Sequence, residues 1–321
     1  MKFWFLAGSL LAALLLIELI LRVGFGFGRP PLYVADKTMG YRLAPNQRVR
    51  RLGNRIHINE YSMRAGAIAS KPSPNTFRLF LLGDSLANGN WWTDQDDILS
   101  VLIADALRPN LPAGYSNIEA LNASANSWGP RNELAYLERY GTFESSTVVL
   151  LLNTDDLFGT QPTALQVGRD RSYPDRNFPL AIAEILSRLF QKNQPIPGLK
   201  EIQEEGGDRV GKNLTAINGI YQTVSHDLNT DSAHNSFVLI LSPLKRELPG
   251  PRDYELVARK RLQDWATEND IVYRDLLPTF QQHPAPDTLY RDHIHLSPAG
   301  NQLVSDIIAT AISPKNESQT K

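Results

Sequence analysis

The sequence predicts an α/β protein with a mostly parallel central sheet, and two observations support this. The first is a set of five short apolar runs, at residues 78–82, 118–121, 147–152, 237–241 and 271–274. Nearly continuous apolar strands are typical of parallel sheets that helices cover on both faces. The second is a set of amphipathic helical stretches between and after these runs, at residues 97–107, 131–140, 179–190, 214–226, 253–269 and 298–312. Such alternation predicts an α/β sandwich.

The composition is that of a globular protein large enough to bury a full core. The chain has 321 residues, of which 42% are hydrophobic and 21% are charged. The formal net charge of -1 gives no general attraction to nucleic acid, so we expect no nucleic-acid partner. The absence of cysteine excludes disulfides and thiolate metal sites.

The N-terminal segment, residues 1–28, is predicted to anchor the chain in a membrane. Residues 3–21 are apolar apart from Gly8, Ser9 and Glu18, and the run is about long enough to cross a bilayer as a helix. It is also longer than the apolar region of a typical cleavable signal peptide. A retained single-pass anchor is therefore favoured over a cleaved signal or a buried helix of a soluble protein.

Residues 29–75 are predicted to form a basic juxtamembrane segment and linker. Pro30 and Pro31 end the anchor helix, because proline cannot continue it. Six arginines follow, at Arg42, Arg48, Arg50, Arg51, Arg55 and Arg64. They indicate either contact with anionic lipid headgroups or the solvated edge of a strand or hairpin.

The main domain is predicted to cover residues 76–313. Within it, residues 158–212 depart from the strand–helix alternation and are rich in Gly, Pro, Gln and Arg. This stretch is interpreted either as a lid or cap or as a surface excursion that covers the sheet edge. The polar tail at residues 314–321 is predicted to be disordered.

Two separated motifs contain the groups that an acyl-transfer site needs. Gly83-Asp84-Ser85-Leu86 follows the first predicted strand, and Asp292 and His295 lie in the loop before the last predicted helix. In open α/β sheets, ligands and catalytic groups lie beyond the carboxyl ends of the strands. The motifs therefore predict a serine nucleophile, a histidine base and a carboxylate that orients the base.

Each motif also has a simpler interpretation. The first is the pattern of an ordinary Gly-Asp turn with a serine that caps a helix. In the second, Asp292, His293 and His295 are clustered oxygen and nitrogen donors of the kind that bind metals. No other well-spaced histidine pair accompanies them, so we expect neither a metal nor another cofactor, and we expect His293 to be a packing or edge residue.

Four ordered segments, at residues 83–86, 122–129, 153–156 and 292–295, resemble the four blocks of the SGNH/GDSL hydrolase family. The resemblance covers roughly residues 76–312. It implies a three-layer α/β/α fold and hydrolysis of esters, thioesters or acylated carbohydrates through an acyl-serine. Residue by residue, it implies that Ser85 is the nucleophile, His295 the general base and Asp292 the carboxylate that orients His295.

The predicted oxyanion hole combines the Ser85 N–H with two positions that depart from the family pattern. Ser127 replaces a glycine whose N–H donates to the oxyanion, and this donor survives if Ser127 adopts the same dihedral angles. Asp155 replaces an asparagine whose amide donates, and an ionised carboxylate would instead repel the developing charge. The alternatives are protonation of Asp155, substitution by Asn126 or Asn153, and low activity.

Three tryptophans near these blocks are candidates for the wall of a substrate pocket. Trp91 and Trp92 follow the nucleophile segment, and Trp128 follows Ser127. Aromatic side chains offer large apolar surfaces to an acyl group or a sugar, but packing in the core is the alternative for each of the three.

The leading functional prediction is a membrane-anchored serine esterase or deacylase. Its expected substrate is an acylated small molecule, lipid or carbohydrate. The alternatives are an envelope carbohydrate O-acyltransferase with the same triad and a non-catalytic SGNH-like binding protein.

Two arguments predict opposite locations of the main domain relative to the membrane. Lys2 precedes the apolar run whereas Arg22, Arg29 and Lys37 follow it, and a strict positive-inside count would keep the main domain in the cytoplasm. The family resemblance together with the anchor instead implies an extracytoplasmic domain, which we favour because large domains translocate against a small charge bias.

Overall fold

Five parallel strands form the central sheet in the order β6–β5–β7–β8–β9. The computed structural model describes residues 2–190, 194–228 and 237–313, and the predicted tail at 314–321 lies outside them. The strands are β1 (Tyr33–Asp36), β2 (Gly40–Leu43), β3 (Gln47–Arg51), β4 (Asn54–Ile58), β5 (Thr76–Gly83), β6 (Asn117–Ser124), β7 (Thr147–Asn153), β8 (Phe237–Ser242) and β9 (Val272–Asp275). The five predicted strands correspond to β5 to β9, with ends that differ by at most three residues.

Helices cover both faces of the sheet, as the nearly continuous apolar strands predict. The α-helices within the described residues are α1 (Lys2–Leu19), α2 (Ser85–Asn88), α3 (Leu99–Leu107), α4 (Pro130–Tyr140), α5 (Ala181–Phe190), α6 (Leu199–Gln203), α7 (Arg209–Leu228), α8 (Asp253–Glu268), α9 (Leu277–Gln282) and α10 (Pro298–Ile312). Phe80 and Leu82 of β5 pack into a core with α4, α7 and α8, whereas Leu79 and Leu81 pack with α3, α9 and α10. The predicted three-layer α/β/α fold is therefore confirmed.

The strand order places a topological switch point at β5. This strand pairs with β6 on one side and with β7 on the other, so the chain winds away from it in both directions. Open parallel sheets bind ligands outside the carboxyl ends of the strands at such a point. The end of β5 at Gly83 is therefore the position where the fold itself favours a site.

The segment at residues 29–75 differs from the predicted linker because it forms two antiparallel hairpins that join the core. β1 pairs with β2, and β3 pairs with β4. Tyr41 and Ile56 are buried in the same cluster as Phe80 of the central sheet. An apolar side of each hairpin therefore packs against the main domain, which sequence periodicity in such short strands did not reveal.

Most of the six arginines between residues 42 and 64 form contacts within the chain. Arg51 forms a buried ion pair with Glu184, and Arg64 is buried and donates to the backbone carbonyls of Asn88, Asn90 and Thr93. Arg55 pairs with Asp94 and Asp96, and Arg42 lies near Asp36. Arg48, Arg50 and Arg55 are exposed, but Arg55 is paired with Asp94 and Asp96, so the set as a whole does not form a free basic surface.

The apolar N-terminal helix is exposed except at Glu18, which is partly buried. Together with the π-helical turn Ile20–Gly24, it forms the stretch Lys2–Gly24, which is long and apolar enough to cross a membrane or to serve as a signal sequence. Its end contacts the main domain, because the Glu18 carboxylate accepts hydrogen bonds from the backbone N–H groups of Ala181 and Ile182 at 2.8 and 3.1 Å.

The stretch at residues 158–212 contains α5 and α6 and runs along the hairpins β1–β2 and β3–β4. The N–H of Tyr33 donates to the carbonyl of Pro174 at 2.8 Å, and the N–H of Phe178 donates to the carbonyl of Gly28 at 3.0 Å. These contacts tie the stretch to the chain that follows the apolar helix.

Candidate active site

The turn after β5 holds Ser85 at the first position of α2. Gly83 has no room for a side chain, since a Cβ there would lie 2.8 Å from the carbonyl oxygen of Leu151 and 2.9 Å from the Cβ of Ala87. Asp84 caps α2 by accepting a hydrogen bond from the N–H of Leu86 at 2.8 Å. The close approach and the cap together fix Ser85, whose surface is 7% exposed.

The loop before α10 brings His295 to Ser85 across the 210 positions that separate them in the sequence. His295 Nε2 lies 2.9 Å from Ser85 Oγ, and its Nδ1 lies 2.8 Å from Asp292 Oδ2. A carboxylate on Nδ1 holds the proton on that nitrogen and leaves Nε2 to accept the serine proton. The three residues predicted from the sequence thus form one hydrogen-bonded chain.

Asp292 is held as an anion by its own loop. Burial raises its pKa, but Asp292 Oδ1 accepts hydrogen bonds from the N–H groups of Ile294 and His295 at 2.9 and 2.8 Å. These bonds and the contact with the imidazole outweigh burial, so the pKa of Asp292 lies below its ordinary value. An ionised Asp292 stabilises the imidazolium that would form during proton transfer.

The three tryptophans have different environments. Trp92 packs edge-on against the imidazole of His295, with ring centroids 4.9 Å apart. The guanidinium of Arg291 lies over the Trp92 ring, 4.8 Å from its centroid. Trp91 packs against Trp92, and both line the cavity beside Ser85. Trp128 is 1% exposed and donates its indole N–H to the carbonyl of Tyr41, so it is a core residue with little surface for a substrate.

Ser127 adopts a left-handed backbone conformation. Its φ is +57°, in the left-handed region that favours glycine. Its hydroxyl accepts a hydrogen bond from the Tyr173 hydroxyl at 2.9 Å, and the following residue, Trp128, is anchored in the core. Ser127 therefore holds a backbone conformation that glycine adopts readily.

Asp155 is paired with a cation that the sequence did not indicate. Its exposed carboxylate lies 3.0 Å from Arg246, which also binds Glu255 at 2.5 Å. Partial burial raises the pKa of Asp155, whereas Arg246 opposes this rise. Arg246 follows β8, whose carboxyl end lies on the same edge of the sheet as Ser85, and this was the available signal for finding it.

The two asparagines proposed as substitute donors differ in their contacts. Asn153 is 1% exposed and its amide nitrogen donates to Asp84 and to Asp156, each at 2.9 Å. Both amide hydrogens are thus used behind the nucleophile, which leaves neither of them to donate to an oxyanion. The Asn126 side chain lines the same cavity as Ser85, and its Oδ1 has no hydrogen-bond partner within the described residues.

A group of buried acids lies behind the nucleophile turn. Asp84, Glu133 and Asp156 are at most 7% exposed, and neither carboxyl oxygen of Glu133 has a hydrogen-bond partner within the described residues. Burial raises the pKa of all three, and the negative charge of Asp84 raises those of Glu133 and Asp156 further. Neutral forms are therefore favoured most strongly at Glu133 and Asp156.

Two cavities meet at Ser85 and His295. The anchor-side cavity, about 470 Å³, extends towards Pro30 and Pro31 after the apolar helix and has walls of Tyr33, Ile56, Ile58, Trp91 and Trp92. The Asp155-side cavity, about 610 Å³, extends towards Phe158, Gln161 and His293. His293 is exposed and contributes to this second wall, and no group of metal-binding side chains occurs in the described ranges.

The sequence matches the model of the GDSL-like Lipase/Acylhydrolase family over residues 81–303. No curated protein matches it. Solved structures similar to it include the lipase/acylhydrolase from Enterococcus faecalis, with 15% identity over 74% of this chain and 95% of that one and a TM-score of 0.43. The acetyl xylan esterase AlAXEase shares 13% identity over 74% and 100% of the two chains, with a TM-score of 0.47. TesA shares 14% identity over 74% and 98%, with a TM-score of 0.45.

Proposed function

The chain belongs to the GDSL-like Lipase/Acylhydrolase family and is an ester-cleaving serine hydrolase, and on this premise we propose that Ser85, His295 and Asp292 are its catalytic triad. The observation that carries the proposal is the unbroken contact from Ser85 Oγ through the imidazole of His295 to Asp292, with distances of 2.9 and 2.8 Å. Such a chain lets one group attack while the next takes its proton.

The reaction follows from these contacts. Ser85 Oγ attacks the ester carbonyl as His295 Nε2 takes its proton, and the imidazolium then gives this proton to the leaving alcohol oxygen. An acyl-Ser85 ester remains. A water molecule, deprotonated by His295, attacks this ester and releases the carboxylic acid and the free serine.

The oxyanion hole in this proposal consists of the backbone N–H groups of Ser85 and Ser127. The left-handed φ of Ser127 supports its role as the glycine equivalent. Arg246, which also pairs with Glu255, offsets part of the charge of Asp155, so repulsion of the oxyanion by Asp155 is reduced. Of the two asparagines, Asn126 is the one whose contacts leave it available as a third donor.

Labelling with a fluorophosphonate tests the proposed nucleophile. The probe should modify the wild-type chain at Ser85 and should not modify Ser85→Ala. Ser73→Ala, at an exposed serine, is the control and should be modified like the wild type. Equal modification of Ser85→Ala would contradict the proposal, as would failure of the correctly folded wild-type chain to react.

Acyl transfer is the second candidate activity, because two separate cavities reach Ser85. One would hold the acyl donor and the other a hydroxyl acceptor such as a carbohydrate. Turnover of a soluble ester in the presence of acetylatable sugars distinguishes the two activities. Hydrolysis predicts free acid as the product, whereas transfer predicts an acylated sugar.

The apolar helix is proposed to remain as a membrane anchor, with the hydrolase domain outside the cytoplasm. Retention is supported by the contacts of Glu18 with Ala181 and Ile182 and of Arg22 with the carbonyl of Pro179. Membrane-bound protein should therefore keep its full-length mass, and protease added to spheroplasts should digest the domain. Protection in spheroplasts would reverse the proposed orientation.

A further inference from the structure

Helix α5 has its polar side turned towards the protein. Glu184 has no exposed surface, pairs with the buried Arg51 at 2.5 Å and accepts a hydrogen bond from the N–H of Gly28 at 2.6 Å. Arg188, one turn later, donates to the same carboxylate at 2.8 Å. The contacts that hold α5 in place are therefore polar.

The opposite side of α5 is apolar and exposed. Leu186 and Leu189 are 48% and 70% exposed, Phe190 is 76% exposed, and Leu180 just before the helix is 52% exposed. We call these four residues the outer face of α5. A helix of a water-soluble domain buries its apolar side against the core, so the reversed arrangement of α5 indicates that its outer face meets an apolar medium.

The position of α5 identifies that medium. Its first N–H groups, at Ala181 and Ile182, donate to Glu18 near the end of the apolar stretch Lys2–Gly24, and Arg22 donates to the carbonyl of Pro179. The outer face of α5 thus adjoins the exposed apolar surface of a helix that can span a bilayer. A lipid bilayer is the one medium that would cover both exposed apolar surfaces.

Basic side chains lie beside α5 where lipid headgroups would be. A cavity of about 440 Å³ is lined by Arg169, Arg171, Arg176 and Arg188, together with Asp170 and Asp175. Within the part of the chain that the structure describes, no ion pair joins Arg169, Arg171 or Arg176 to a carboxylate. Arginines next to an apolar helical face are typical of contact with anionic lipid.

We propose that α5 lies in the bilayer interface with its outer face in the acyl-chain boundary, so that the anchor-side cavity opens at the membrane surface. Arg171 and Arg188 line both this cavity and the basic cavity beside α5, so the two are adjacent. Resting on the proposed hydrolase function, this arrangement assigns an amphiphilic ester held in the membrane as the substrate class.

Cysteine labelling tests the position of α5 directly, because the chain contains no cysteine of its own. Leu189→Cys, in full-length protein in nanodiscs of phosphatidylethanolamine and phosphatidylglycerol, would carry an environment-sensitive fluorophore. Lipid-borne nitroxide should quench this label strongly. The control is Val257→Cys on α8, where the native residue is 60% exposed, and its label should stay unquenched. Equal quenching at the two positions would overturn the proposal.

A kinetic comparison tests the functional consequence. The double variant Leu186→Ser, Leu189→Ser should lower kcat/KM about tenfold or more for a long-chain ester dissolved in the nanodisc, since interfacial binding scales with buried apolar area. Its activity on a short, water-soluble ester should be unchanged. The matched control is Leu256→Ser, Val257→Ser on α8, where the native residues are 49% and 60% exposed, and it should leave both activities unchanged.

The two substrates separate the two proposals. Absence of wild-type activity on the soluble ester would count against the catalytic assignment. Activity on both esters that is equal for the α5 variant and the α8 control would overturn the interfacial role of α5 while leaving the hydrolase assignment intact.

Discussion

At the scale of single residues, the pair Asp155–Arg246 decides how a carboxylate is tolerated next to an oxyanion. The third family-like block places Asp155 where an amide donor is expected. From the sequence alone, the alternatives are that Asp155 is protonated, that a nearby asparagine donates in its place, or that the enzyme has low activity. The structure adds a cation at 3.0 Å from the carboxylate. Arg246, which is shared with Glu255, offsets part of the negative charge of Asp155 and so lowers its repulsion of a negative transition state.

Removing the arginine should expose the effect of the carboxylate. Arg246→Gln leaves Asp155 unpaired in a cavity shared with Ser85, and we expect kcat to fall about tenfold because unbalanced negative charge opposes the oxyanion. Adding Asp155→Asn should restore kcat to at least the wild-type level. Steady-state kinetics on a soluble ester would show this, and a double variant as slow as Arg246→Gln would contradict it.

The buried acids make stability depend on pH in a definite direction. Burial and neighbouring charge raise the pKa of Glu133 well above its value in the unfolded chain. The folded chain therefore binds more protons, and stability that is present below the unfolded pKa is lost as pH rises towards the folded pKa. Asp84 and Asp156 act in the same direction because their pKa values are also raised.

Glu133→Gln should remove this penalty. We expect a gain of about 1–3 kcal/mol in the free energy of unfolding at pH 8, because a buried unpaired acid no longer has to ionise or hold its proton. Little difference is expected near pH 4, where the acid is protonated in both states. Denaturant unfolding at the two pH values measures the difference, and a destabilisation that is larger at pH 8 would contradict the account.

At the scale of elements, a buried ion-pair network ties the carboxyl ends of three strands together. Arg259 of α8 donates to the Thr154 hydroxyl at 2.8 Å, to Glu247 at 3.1 Å and to Asp275 at 2.6 Å. These partners follow β7 and β8 or end β9. The edge of the sheet that carries the site is thus fixed by side chains that do not contact a substrate.

Two arginines of α8 provide a matched test of this network. Arg259→Ala should lower the free energy of unfolding by about 3–5 kcal/mol, because it leaves buried carboxylates without a cation. Arg261→Ala removes only a partly exposed pair with Asp208 and should change it by about 0–1 kcal/mol. Urea unfolding of the two variants measures the contrast, and similar losses would argue against a structural role for the buried network.

At the scale of the whole molecule, the central sheet and the residues of the proposed triad could be predicted from the sequence, whereas the contacts around the site could not. Apolar runs such as residues 147–152 indicate buried strands directly. Ser85, Asp292 and His295 belong to motifs whose residue types fit an acyl-transfer site. The roles of Arg246 and Glu184 depend on ion-pair partners that are distant in the sequence. Periodicity also shows that α5 is amphipathic, but it cannot show that the apolar side faces outward.

The most direct test of the central claim is to trap the acyl-enzyme. Full-length protein mixed with an activated short-chain ester and quenched by acid within the first turnovers should carry one acyl group, located by peptide mapping on Ser85. His295→Ala should accumulate little of it, because the serine is no longer deprotonated. An acyl group on another residue, or ester hydrolysis that persists in Ser85→Ala, would contradict the proposed triad.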